Sequence, residues 1–205
     1  YDGAISNSGT FIYSSTTDQI LSGIISGDGA LTKQEDSSLT LSGANTYTGA
    51  TLISAGVLRA QNDTALGTTA SGTTVASGAA LELNDLDDGT AIAIGAEALS
   101  LAGTGISNGG ALRNIAGNNS YAGAITLTAD TRINSDSGTL TLNVASGAAI
   151  TGTFNLTFGG AGNITVSDAI TTGTGTLTKD GTGTLTLAGN NSYTGTTSIT
   201  NGIVA

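Results

Sequence analysis

"LTLSGANTYTGATLISAGVLRA" spans residues 39–60, and "LTLAGNNSYTGTTSITNGIVA" spans residues 185–205. Asn, Tyr and Gly fall in the same places in both. Shifting residues 29–58 by 146 positions lays them on 175–204 with 15 of 30 positions identical. A degenerate third copy lies near 112–129 and contains "GNNSYAGAITLTA" at 117–129. Gly43, Asn45, Tyr47 and Gly49 thus recur as Gly117, Asn119, Tyr121 and Gly123, and again as Gly189, Asn191, Tyr193 and Gly195. The intervals from Tyr47 to Tyr121 and from Tyr121 to Tyr193 are nearly equal. Self-similarity of this kind marks units that bury their apolar faces by stacking on neighbours.

Between the copies the texture is uniform. "ALEL" (80–83), "ITLT" (125–128), "GTLTLNV" (138–144), "FNLTF" (154–158) and "NITV" (163–166) alternate apolar residues with Thr, Asn or Glu, separated by Gly, Asn, Asp and Ser. Period-two alternation is a strand with one buried face. Thr suits the outer face because it is β-branched, stiff and polar. The Ala- and Leu-rich stretch 91–103 invites a helix, but its apolar residues fall into two alternating runs split at 95–98, so strand, turn, strand is expected.

Two all-β arrangements fit short strands, an antiparallel sandwich and a parallel solenoid. Repeats in register, intervals near three coils of about 24 residues, and a complete lack of Pro favour the solenoid. An interior coil donates hydrogen bonds to both neighbours, and Pro would leave one unmade. The expectation is one β-helix segment over residues 1–205, about eight or nine coils and roughly 40 Å long at ~4.8 Å per coil. Glycines are expected at corners needing positive φ. The repeat asparagines are expected to bond backbone at turns and to stack as ladders, and the three tyrosines to line one edge with their hydroxyls in water.

Composition narrows the function. The 205 residues contain 32 Gly, no Pro, Cys, His, Met or Trp, and carry a net charge of −10. The acidic balance opposes nucleic-acid and anionic-lipid binding. No apolar run is long enough for a membrane-spanning helix, and the N-terminal residues carry no leader pattern. The lack of His and Cys excludes Ser-His-Asp and Cys-His chemistry and His-bearing zinc sites within these residues. No cofactor is implied. "SDSG" (135–138) reads as a turn, the Gly-x-Gly spots lack a third Gly and a following helix, and "GGAGNITV" (159–166) reads as a corner. Glu82, Asp85, Asp87 and Asp88 in "ELNDLDDG" are weak candidates for a Ca²⁺ site, weighed against a solvated acidic loop. The five cations, Lys33, Arg59, Arg113, Arg132 and Lys179, look scattered, and Lys33 and Lys179 are equivalent repeat positions. That pattern argues for structure rather than polysaccharide-cleaving catalysis.

"GALTKQEDSSLTLSGANTYTGATLISAG" (29–56) and "GTLTKDGTGTLTLAGNNSYTGTTSITNG" (175–202) closely resemble the passenger-associated repeat of bacterial autotransporters. "LSLAGTGISNGGALRNIAGNNSYAG" (99–123) is similar to text in large proteins of that class. The resemblance implies a right-handed parallel β-helix, secretion across the outer membrane and a role on the bacterial cell surface. It implies a non-enzymatic stalk or adhesin-type passenger segment, whose binding partner, a host-cell, matrix or glycan ligand, the sequence does not name. A self-assembling extracellular filament, associating through coil ends or flanks, and a polysaccharide-active enzyme are the alternatives. The stretch 34–36, "QED", departs from the Gly/Thr-rich norm and predicts an altered turn. Residues 203–205 align with 57–59, which lie mid-pattern, so the expectation is a piece of a longer protein.

Overall fold

The computed structural model describes residues 1–85 and 90–205. Every strand pairing among them is parallel, and the strands stack as a β-solenoid of about nine turns. A single 3-10 turn, Ile106–Asn108, is the one helical element among the described residues. Each coil crosses three faces. The first face runs through Thr10–Tyr13, Ala30–Lys33, Thr51–Ile53, Gly72–Val75 and Ala98–Gly103, then the early part of Ile125–Ser135, Ala148–Thr151 and Ala169–Thr171. The second runs through Gln19–Leu21, Ser38–Leu41, Val57–Ala60, Ala80–Asn84 and Leu112–Ala116, then the later part of Ile125–Ser135, Leu156–Gly159, Leu177–Lys179 and Thr197–Ile199. The third carries Ile5–Ser6 and Ile25–Ser26, and later Ala93–Ile94, Asn118–Tyr121, Thr139–Leu142, Asn163–Val166, Thr184–Leu187 and Ile203–Val204.

Alternation sorts the side chains. On the first face Leu31, Thr51, Thr73, Leu99, Ile125 and Ile150 stack in register and point inward. Their neighbours Thr32, Leu52, Thr74, Ser100, Thr126 and Thr151 form the outward column. The third face repeats the pattern, with Leu140, Ile164 and Leu185 inside and Thr141, Thr165 and Thr186 outside. The interior is a largely apolar column in which Leu31, Leu39, Leu58, Leu81, Ile133, Phe158 and Leu185 are fully buried. Burial at roughly 25 cal/mol per Å² of apolar surface offsets the entropy cost of a Gly-rich chain.

Coil length is not uniform. Leu39 pairs with Leu58 in one of the shortest circuits, whereas Leu81 pairs with Leu112 across a much longer one. The longest coil includes residues 104–111, which leave the column between the first and second faces. There Gly105 and Gly110 adopt φ of 74° and 110°, and the Gly110 N–H closes the excursion on the Thr104 carbonyl at 2.8 Å. Residues 91–103 form two strands, Ala93–Ile94 and Ala98–Gly103, as the alternating pattern predicts. Within 34–36 the backbone turns through Glu35 at φ 62°.

Unequal coils have a consequence for the repeat. The first copy places its LTK on the first face, its LTL on the second and its Asn-Thr-Tyr on the third. The last copy places LTK on the second face and LTL on the third. Its Asn191-Ser192-Tyr193 stacks over Ile170 on the first face, where the Ser192 N–H meets the Ile170 carbonyl at 3.0 Å. The cassette has rotated by one face. Tyr47 and Tyr121 therefore share the third face, but Tyr193 does not, and the expected single line of tyrosines is absent. The column survives because any face offers the same ladder of N–H and C=O groups.

Candidate functional site

The repeat asparagines tie neighbouring coils together, and the first of them ties three. Asn45 Oδ1 accepts the Ile25 N–H from the coil before at 2.8 Å, and its Nδ2 donates to the Ala65 carbonyl of the coil after at 2.7 Å. Asn119 accepts from Ile92 at 2.7 Å, and Asn191 from Ile170 at 2.9 Å. The three asparagines are three or more coils apart, so they bridge backbone between coils and do not ladder on one another.

The tyrosines point inward, contrary to expectation. Tyr47 and Tyr121 are fully buried, and Tyr193 is half-buried against the core. Two of the hydroxyls find a partner four residues on: Tyr47 OH meets Thr51 Oγ1 at 2.6 Å, and Tyr193 OH meets Thr197 Oγ1 at 2.9 Å. In the degenerate copy Ile125 stands where that Thr would be, and the buried Tyr121 hydroxyl has no partner. The motif glycines serve close approach. A Cβ on Gly49 would run into the Gly29 carbonyl oxygen, and one on Gly195 into that of Gly175. Neither has a positive φ, so at these two positions interlayer spacing, not corner geometry, selects Gly.

Lys33 and Lys179 are buried. Lys33 Nζ donates to the Gln34 and Glu35 carbonyls at 2.6 and 2.7 Å and to Ala55 of the next coil at 3.3 Å. It also lies 5.6 Å from the Tyr13 ring centroid. Lys179 Nζ likewise donates to the Gly181 carbonyl. Beside each ammonium the next coil passes at a glycine, Gly56 or Gly202, where a Cβ would meet Nζ at 2.7 or 2.8 Å. Burial pushes both lysines below their ordinary pKa. In the degenerate copy a neutral donor does comparable work: Asn114 Nδ2 reaches Gly117 of its own coil and Ser137 of the next, at 3.1 and 2.8 Å.

The arginines are gathered, not scattered. Arg59, Glu82 and Arg113 are consecutive register partners on the second face. Glu82, 3% exposed, receives Arg59 at 2.8 Å on one oxygen and Arg113 at 3.2 Å on the other. Arg113 continues to Asp136 at 2.5 Å, and Asp136 accepts from Asn134 at 2.6 Å. Arg132 spans two coils to grip Asp180 through both terminal nitrogens at 2.6 and 2.9 Å. It crosses above Gly159, where a Cβ would collide with the guanidinium. Variable coil length hides this in the sequence, since the step from Arg59 to Glu82 is shorter than the step from Glu82 to Arg113.

The acidic candidates divide. Glu82 belongs to a strand and its oxygens are engaged by guanidinium groups. Asp85 follows that strand, with its carboxylate against Gly117. Asp87 and Asp88 lie outside the described residues. Among the described residues no three Asp or Glu side chains converge as a metal cage. Sequence reading missed Glu97. Its side chain is 3% exposed, accepts from Thr73 Oγ1 at 2.5 Å, and has its pKa pushed up to about 7 by burial, the Thr73 bond opposing the shift. A Glu between two alanines at a strand start carries no pattern that would have singled it out.

A family model described as passenger-associated-transport-repeat matches residues 31–60 and 177–205. Over 128 residues, 60% of this chain, the sequence is 36% identical to the adhesin BmaC autotransporter of Brucella suis biovar 1 (strain 1330). That alignment spans 4% of the length of the Brucella protein. No solved structure matches the chain. The chain thus carries two copies of this repeat on a parallel β-solenoid and is similar, over part of its length, to an autotransporter adhesin.

Proposed function

We propose that the chain is a non-enzymatic, adhesin-type passenger segment that holds a stiff surface away from the bacterial cell. The observation that carries this reading is the unbroken parallel column with Thr and Ser columns facing outward. Such a column is a shaft about 40 Å long at ~4.8 Å per coil. Its flexibility is low because each coil is bonded to two neighbours. The charge ladder supports the same reading. Its carboxylate and guanidinium groups bond one another across coils and stiffen the second face. Kinship to an adhesin supplies the adhesive part, directed at a host-cell, matrix or glycan ligand.

The test is surface display of the parent protein with and without residues 1–205. Removal is expected to shorten the projection seen by electron microscopy and to lower attachment to host cells or matrix. Unchanged projection and attachment would overturn the proposal. So would release of oligosaccharides from acidic polysaccharides by the purified chain.

A further inference from the structure

Glu97 stands apart from the repeat and from the charge ladder. It lies between the third-face strand Ala93–Ile94 and the first-face strand Ala98–Gly103. Its coil lies over Thr73, which donates to its carboxylate, and under Gly123, where a Cβ would overlap the Glu97 carbonyl oxygen. The inward column here is the polar pair Thr51 and Thr73, stacked in register. Tyr47 OH closes on Thr51 from one side. Tyr121, with its unpartnered hydroxyl, fills the other side, and a Cβ on Gly123 would touch its ring at 2.9 Å. Thr73 comes from the strand below, Tyr121 from the third face above, and Tyr47 from the third face two coils below Glu97. The titratable groups that feel the Glu97 charge are thus two buried phenols. No Lys or Arg among the described residues pairs with it.

An ionised carboxylate in such a place has one hydroxyl to solvate it and no counter-charge. A neutral carboxyl loses less, since it still accepts from Thr73 and has no charge to desolvate. We propose that Glu97 makes the middle coils of the solenoid a proton-gated joint, tight when the carboxyl is neutral and loosened when it ionises. The chain has no His and no Cys. Among the described residues Glu97 is therefore the carboxyl whose surroundings place its response between mild acid and neutrality. A passenger outside the cell meets the pH of its surroundings, and the inference rests on the surface reading for that point alone.

The sign follows from linkage. Burial raises this carboxyl from 4.5 to about 7, so the fold binds a proton that the open chain releases. The Glu97 contribution to stability is full below about 4.5, falls as pH rises, and is lost above about 7. Between pH 5.5 and 7.5 the closed-to-open ratio of these coils should drop about twentyfold.

Hydrogen exchange of the 205-residue chain reads this directly. After correction for intrinsic rates, amide protection in Gly72–Val75, Ala98–Gly103 and Asn118–Tyr121 should fall about twentyfold between those pH values. Protection in Leu156–Gly159 and Asn163–Val166 should hold. Glu97→Gln should remove the pH dependence. An equal fall in Glu97→Gln, or none in the wild type, overturns the proposal. Should Glu97→Gln fail to fold, the carboxyl carbon shift of Glu97 in the native wild type decides. A midpoint near neutrality supports the joint, and one in the ordinary carboxylate range removes it. Neither readout depends on adhesion, so failure here leaves the surface role separately testable.

Discussion

Tyr47 and Tyr121 occupy the same place in the repeat and the same face of the solenoid, and they differ by one neighbour. Thr51 satisfies the first hydroxyl, while Ile125 leaves the second unpaired. Tyr47→Phe is therefore expected to cost about 1 kcal/mol, and Tyr121→Phe to be neutral or stabilising by a similar amount. Paired thermal melts measure the difference, and equal losses would contradict it. Asn45 offers a second contrast. Asn45→Ala strands a buried N–H on Ile25 and a buried carbonyl on Ala65, which should cost about 2–4 kcal/mol. Asn45→Asp keeps the acceptor, loses the donor and buries a charge, so it should be at least as damaging at pH 7 and milder at pH 4. Denaturant titration at the two pH values checks the order. The repeat displayed these residues openly, because Asn, Tyr and Gly recur at fixed spacing. Which way the ring turned was not legible. All three turn inward, Tyr121 without a partner, and the Thr that satisfies the other two looks the same in an alternating run whether it bonds water or a phenol.

Corners and ladders carry the next level. The Lys33 ammonium holds three carbonyl oxygens, two from its own turn and one from the next coil. Lys33→Met keeps much of the stem's bulk and removes the donors. It should cost about 2–4 kcal/mol, because buried carbonyls are left without partners. Lys33→Arg should not rescue it, since a planar fork does not fit a cage too tight to admit even a Cβ on Gly56. Urea midpoints for the two variants read this, and full stability in Lys33→Met would refute the latch. That Lys33 and Lys179 were structural followed from their equivalence in the repeat. The Arg59–Glu82–Arg113 ladder did not announce itself, because its two steps become unequal once a loop is inserted. Glu82→Ala should destabilise by about 1–3 kcal/mol, as it removes the carboxylate shared by two half-exposed guanidinium groups, leaving Arg59 unpaired and Arg113 with Asp136 alone. Arg59→Ala should cost less, since Arg113 still holds Glu82. A double-mutant cycle on Arg59 and Glu82 gives their coupling.

Across the whole molecule, the repeat cassette sits on different faces in its first and last copies, and the solenoid does not object. The strand ladder is indifferent to face, but it is strict about phase: each inward residue must land on an inward residue one coil away. Parallel stacking, coil number and the inward columns were legible from period-two runs joined to a long-range repeat. The one-face rotation was not, because it accumulates from coils of unequal length, and only the pairing reveals those lengths. Phase, not face, should therefore govern tolerance to deletion. Ile150 pairs with Ile170 and Thr151 with Thr171, so removing residues 151–170 excises one coil and joins equivalent positions. That variant should keep its β-sheet circular dichroism and a single cooperative transition, with a modest fall in midpoint, because nearest-neighbour contacts are replaced in kind. It also brings Arg132 one coil nearer to Asp180, where a single-coil ion pair can form. Removing residues 151–160 instead shifts the downstream chain by about half a coil and sets outward Thr against the aliphatic column. Its C-terminal coils should unfold separately and at lower denaturant. A split transition in the whole-coil deletion, or a single one in the half-coil deletion, would mean that stacking is held by something other than the register of the ladder.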